Sequence, residues 1–201
     1  MATPLIHAVY AVVLAATAAA ESPAEPPECR PVRAEHIARA IVEAGRGSPT
    51  RAARLLTVGE HETHWSWLVH HGRCELTRWK CDEGKAASLW QLHVTASFPR
   101  PEWLAVQSAS LEATTRAALE ADARLERAAR VCRARGLDSI EATFSLYGSG
   151  NRCDLAMPRR IATFDRMIRK LGSAPVLPLP SEDPMFVEPT ARCQPIDPST
   201  V

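Results

Sequence analysis

An excess of charge of one sign is missing from this chain. Its 24 Lys and Arg residues stand against 23 Asp and Glu, a formal net charge of +1 at pH 7. That balance provides no broad basic surface, so neither nucleic acid nor an anionic membrane is expected as a partner. Long hydrophobic runs are missing too. The longest, over about residues 5–18, is shorter than the ~20 apolar residues a bilayer-spanning helix needs, which favours a removed export signal over a permanent anchor there. No internal repeat is visible, and strand-type alternation is weak except around Trp90, which argues against a sheet-based fold. Aromatic residues make up only 5% of the chain, so each of its five tryptophans stands out.

What is present begins with that N-terminal apolar run. It has no Lys or Arg ahead of it and ends in Ala18-Ala19-Ala20, small residues of the kind a signal peptidase cuts after. Residues 1–20 are therefore expected to be a removed export signal, with the mature chain starting near Glu21 and residing outside the cell or in the periplasm. All six cysteines, Cys29, Cys74, Cys81, Cys132, Cys153 and Cys193, lie beyond the cut. An even number in an exported chain implies disulfides. Proximity favours Cys74 with Cys81 and Cys132 with Cys153, leaving Cys29 and Cys193 to tie the two tails together.

Proline divides the remainder. Residues 21–33, "ESPAEPPECRPVR", are expected to be a linker and residues 173–201 a proline-rich tail, because proline lacks an amide donor and clashes with the preceding helical turn. The core is then 34–172, one domain by its length. Within it, Ile37, Ile41 and Val42 share a helical face that stops at Gly45, and Ser48-Pro49 caps a second helix running through residues 55–71. A long helix over 110–135 is marked by Leu111, Ala118, Leu125 and Cys132, and closes at Gly136. "SIEATFSLYGSG" and "PRRIATFDRMIRKLG" each read as a helix ending in glycine. The expected class is all-α, with a loop bounded by Cys74 and Cys81.

The stretch "LLTVGEHETHWSWLVHH" over 55–71 carries the chemistry. At helical spacing, Leu55, Val58, Gly59 and Glu62 share one face, which places Glu62 inside the apolar arc and Glu60 outside it. A carboxyl drawn into apolar surroundings holds its proton more tightly, the property a general acid needs to protonate a leaving oxygen. The plainer reading puts Glu62 at a frayed helix end, paired with an arginine or reaching water.

Three segments give the chain a resemblance. "VGEHETHW", with Glu62-Thr63, resembles the motif of the lysozyme-like lytic transglycosylases, which share their fold with goose-type lysozymes. In that motif a catalytic glutamate closes a helix and is followed by Ser or Thr. "GKAASLWQL" is similar to the family's Gly-Leu-Met-Gln segment at Leu89, Trp90 and Gln91. "TFSLYGSGNR" is similar to its Ala-Tyr-Asn-Ala-Gly motif at Tyr147 and Gly150. The segments occur in the family's order, and the likeness covers about residues 34–169. It implies a lysozyme-like helical domain that cleaves the bond between N-acetylmuramic acid and N-acetylglucosamine in peptidoglycan, without a cofactor or metal. Glu62 would be the acid and base. Thr63, Ser88, Trp90, Gln91, Tyr147 and Gly150 would bind or flank the glycan, with Tyr147 supporting Glu62 and Gln91 lining the groove. The muramyl N-acetyl group and C6 hydroxyl would replace a second carboxylate and give an anhydro product, whereas Asp82 or Glu83 acting as base for water would give hydrolysis. Two positions depart from the pattern. Ser88 stands where the family has glycine and Gly148 where it has asparagine, so a glycan-binding module without turnover is an alternative reading.

Other features have plainer explanations. His61, His64, His70 and His71 suggest a zinc-stabilised exported protein as a third reading, but His61-Glu62-Thr63-His64 is one residue short of H-E-x-x-H and export favours oxidised cysteines. Trp65, Trp67, Trp79 and Trp103 read as core, Trp103 packing onto the long helix, while Trp90 fits either core or a sugar-stacking cleft. Arg159 and Arg160 after Pro158 read as a solvated face that needs no ligand.

Overall fold

Small apolar residues recur at helical spacing along most of the chain, and the computed structural model, which describes residues 4–19, 25–74, 80–185 and 193, is all-α. Its helices are α1 (Leu5–Ala19), α2 (Arg30–Ala44), α3 (Pro49–Thr63), α4 (Trp67–His70), α5 (Lys80–Gly84), which is only a turn with positive φ at Cys81, Asp82 and Glu83, α6 (Arg100–Ala105), α7 (Leu111–Ala134), α8 (Ile140–Ser149) and α9 (Pro158–Ser173). Strands β1 (Ala86–Ala87) and β2 (Leu92–His93) form a short antiparallel hairpin, with Ala86 opposite His93 and Ala87 opposite Leu92. Trp90 lies in the turn between them.

Serine opens three of the longer helices, α3, α7 and α8. The hydroxyls of Ser48, Ser110 and Ser139 accept from the amides of Arg51, Ala113 and Ala142, satisfying donors that have no partner within the helix. Helix α7 lies along α2 and α8, and α3 lies against α9. The buried faces of α2 and α7 are rich in alanine, including Ala34, Ala38, Ala117, Ala118 and Ala121, and small side chains let helices approach closely. Trp65, Trp90, Phe144, Leu55, Leu56 and Met167 fill the same core.

Several boundaries differ from the sequence reading. Helix α2 begins at Arg30, inside the expected linker, because Pro31 falls in its first turn, where no amide donor is required. Before it, Glu25 is buried in a two-pronged ion pair with Arg33, at 2.6 and 2.8 Å, and Arg33 also donates to the Trp65 carbonyl at 2.9 Å. The segment expected as a leader is α1, with Val9 and Val13 fully buried against the core and the His7 ring 2.9 Å from the Leu177 carbonyl. Removing residues 1–20 would uncover the parts of α2 and α9 on which α1 rests. The tail after α9 is not free of the domain either. Leu179 is buried, and Ser181 donates to Glu35 through both its amide and its hydroxyl.

Three disulfides join Cys29 to Cys193, Cys74 to Cys81 and Cys132 to Cys153, the pairing that proximity suggested. Among the described residues, no helix is long and apolar enough to cross a membrane. Trp79 lies outside the described residues, as does most of the chain after residue 185.

Candidate functional site

The helix expected to run through residues 55–71 stops at Thr63. His64 and Trp65 both take positive φ, 48° and 58°, which reverses the chain before α4. The reversal lays the Trp65 indole over Gly59, where an added Cβ would stand only 2.4 Å from the ring. A glycine in mid-helix is needed here because the ring occupies that space.

Glu62 sits one residue before the end of α3, with 22% of its side chain exposed, and its Oε1 accepts from Arg160 Nη2 of α9 at 2.5 Å. Glu60 is 26% exposed and pairs with Arg166, also of α9. The helical wheel placed these two glutamates in different surroundings. Helix α9 removes most of that difference by running along the rim of α3 and offering an arginine to each. The arginine-paired helix end, the plainer of the two sequence readings, describes the geometry of Glu62. Arg160, read as part of a solvated face that needs no ligand, is thus the site residue that the sequence reading missed. The signal for it was Gly148: a Cβ there would lie 3.3 and 3.4 Å from the two terminal nitrogens of Arg160.

The other two motif segments meet this helix end. Thr63 Oγ1 lies 3.1 Å from both the Gly59 and Leu89 carbonyls and donates to that pair, fastening the hairpin turn to α3. Trp90 Nε1 donates to the Leu55 carbonyl at 3.1 Å. From α8, Tyr147 Oη donates to the Trp90 carbonyl at 3.0 Å. Burial of the phenol, followed by the negative charge of Glu62, pushes the Tyr147 pKa upward, so the hydroxyl stays a neutral donor. Glu62, Thr63, the Trp90 backbone and Tyr147 therefore converge from three elements that are distant in the chain.

Within this arrangement several proposed glycan contacts have other tasks. Trp90 is fully buried and offers no face for a sugar to stack on, which makes it a core residue, contrary to the cleft reading. Thr63 is 6% exposed, its hydroxyl committed to main-chain carbonyls. Ser88, with φ of 64°, accepts from the Trp90 amide at 3.3 Å, and Gln91 Nε2 donates to the Ser88 carbonyl at 3.2 Å, so both shape the turn. Gly150 ends α8 with φ of 76°, a conformation that favours glycine. Ser88 also lines a cleft of 690 Å³ with Glu83, Arg100, Trp103 and Gln107. Asp82 and Glu83 are largely exposed and lie near His93 and Lys85 respectively.

The histidines do not converge. His61 contacts Thr163 of α9, His70 contacts Thr114 of α7, and His71 contacts the Trp67 carbonyl of its own helix. Burial, reinforced by Arg33, lowers the His70 pKa well below its ordinary value and keeps the ring neutral. No group of three or more His, Cys, Asp or Glu among the described residues is placed to hold a metal ion. No family model, curated protein or solved structure matches this chain.

Proposed function

We propose that the chain is an exported, lysozyme-like domain that cleaves the glycan strand of peptidoglycan, with Glu62 as the acid that protonates the glycosidic oxygen. The observation that carries this reading is the meeting of Glu62, the turn at Leu89–Gln91 and Tyr147, the same three segments whose sequences resemble the lytic transglycosylases. The three disulfides fit an oxidising compartment.

In the reaction the proton of Glu62 passes to the bridging oxygen as the bond from the muramyl C1 breaks. The muramyl C6 hydroxyl then attacks C1 and returns its proton to the Glu62 carboxylate, leaving an anhydro sugar end and a regenerated acid. Tyr147 holds the hairpin turn opposite α3 through the Trp90 carbonyl, and so fixes the distance across which Glu62 works. If water, deprotonated by Glu62, attacks in place of the C6 hydroxyl, the product is an ordinary reducing end.

Purified protein acting on isolated cell-wall sacculi tests the proposal. Anhydro-muropeptides should appear by mass spectrometry with wild type and with Glu60→Gln, and should be lost with Glu62→Gln. Turnover that survives Glu62→Gln overturns the assignment of the acid. A second reading, a glycan-binding module without turnover, is favoured by one observation: in the structure, the Glu62 carboxylate is engaged by Arg160. Sedimentation of the protein with sacculi, with no product released, would support that reading.

A further inference from the structure

The ion pair between Glu62 and Arg160 occupies the position from which an acid would act. In this pair Oε1 of Glu62 accepts from the guanidinium, so the carboxyl is committed to Arg160 while the pair lasts. The pair is also incomplete. Arg160 Nη2 is bonded to Glu62, but Arg160 Nη1 is buried and has no hydrogen-bond partner. A guanidinium presents donors in a planar fork suited to a carboxylate, and a buried donor without an acceptor favours the arrival of one. Gly148 leaves the space in which the fork lies, and a side chain at that position would press on both terminal nitrogens. The residue that departs from the family pattern and the arginine at the acid are therefore one structural unit.

We infer that Arg160 is a specificity-determining residue that exchanges Glu62 for a carboxylate on the substrate. The inference rests on the glycan-cleaving reading above and deepens it. As the incoming carboxylate takes the fork, Glu62 is released from the pair and is free to serve as the acid the reaction needs. The carboxylate must lie within about one sugar ring of the scissile bond, because the fork directly contacts the group that protonates that bond. On a muramic acid residue the group at that range is the lactyl substituent at C3. It is a free carboxylate when the strand has lost its stem peptide and an amide when the peptide is attached. The preferred substrate is accordingly a peptide-free strand.

The test compares kcat/KM on three substrates: strands stripped of stem peptides, peptide-bearing strands and neutral N-acetylglucosamine oligomers. Wild type should favour stripped strands over both others by about tenfold or more, as a charge-assisted hydrogen bond implies. Arg160→Met should bring the ratio of stripped strands to neutral oligomers near one, slowing the first substrate and speeding the second. Arg160→Lys should restore part of the preference, since it keeps the charge and loses the fork. Gly148→Asn, which displaces the fork without removing it, should act like Arg160→Met. Melting temperatures close to wild type establish that each variant is folded. If wild type cleaves all three substrates with ratios that Arg160→Met leaves unchanged, the inference fails while the glycan-cleaving reading stands. Equal wild-type preference for stripped and peptide-bearing strands overturns the assignment to the lactyl group. If wild type cleaves none of the three, the glycan-cleaving reading and the inference fall together.

Discussion

Two arginine–glutamate pairs, Arg33 with Glu25 and Arg160 with Glu62, show how differently the same chemistry can be used. Arg33 and Glu25 are almost wholly buried, their side chains 3% and 0% exposed. They meet through two hydrogen bonds, from Nε and Nη2, and the remaining nitrogen of Arg33, Nη1, donates to the Trp65 carbonyl. Arg160 and Glu62 are 16% and 22% exposed and share one bond, with Nη1 left over. The first pair is saturated and closed to water, so neither partner can leave without stranding a charge. The second is partly solvated and unsaturated, with one buried donor of Arg160 lacking an acceptor. Saturation, more than mere proximity, distinguishes the two pairs.

The comparison can be broken at the first pair with the largest effect. Glu25→Ala leaves the Arg33 guanidinium buried without its anion and should cost about 3–5 kcal/mol in chemical denaturation, the range for breaking a buried pair from one side. A loss below about 1 kcal/mol would place that pair in the same class as the exposed ones. Gly59→Ala acts on the element between the two pairs. Its Cβ would press on the Trp65 ring, whose carbonyl Arg33 holds, and the strain should exceed the gain in helix propensity, for a net loss of about 1–2 kcal/mol. The smallest effect belongs to the second pair: Arg160→Met should change stability by less than about 1 kcal/mol, since the ion pair is partly solvated and its entropy cost is recovered. A loss comparable to that of Glu25→Ala would show that Arg160 is a fixed part of the fold rather than an exchangeable contact.

The features legible in the sequence were those decided by neighbours along the chain. Ser48-Pro49, Ser110 and Ser139 start helices through their own hydroxyls, and Gly150 ends one through its own φ, so these boundaries needed no tertiary information. Cys74–Cys81 and Cys132–Cys153 followed their short separation along the chain for the same reason, and Cys29–Cys193 was the pair left over. The start of α2 was missed because proline was read as a breaker at a position where it opens a helix. The end of α3 was missed because His64 and Trp65 adopt positive φ, which nothing in their residue types announces. At the site, the helical wheel isolated Glu62 from Glu60, but a wheel contains no second helix, and α9 brings an arginine to both. Trp90 looked equally suited to a cleft and to the core; the Leu55 carbonyl, which accepts its indole proton, decides for the core.

The bond between Cys29 and Cys193 spans 164 residues of sequence and encloses α2 through α9. Covalently the segment from Cys29 to Cys193 is a ring rather than a thread. A protease that cuts one surface loop opens the ring at a single place and releases nothing, so a nicked molecule keeps all its helices in one body until the cystine is reduced. That topology turns a first cut from destruction into a scar.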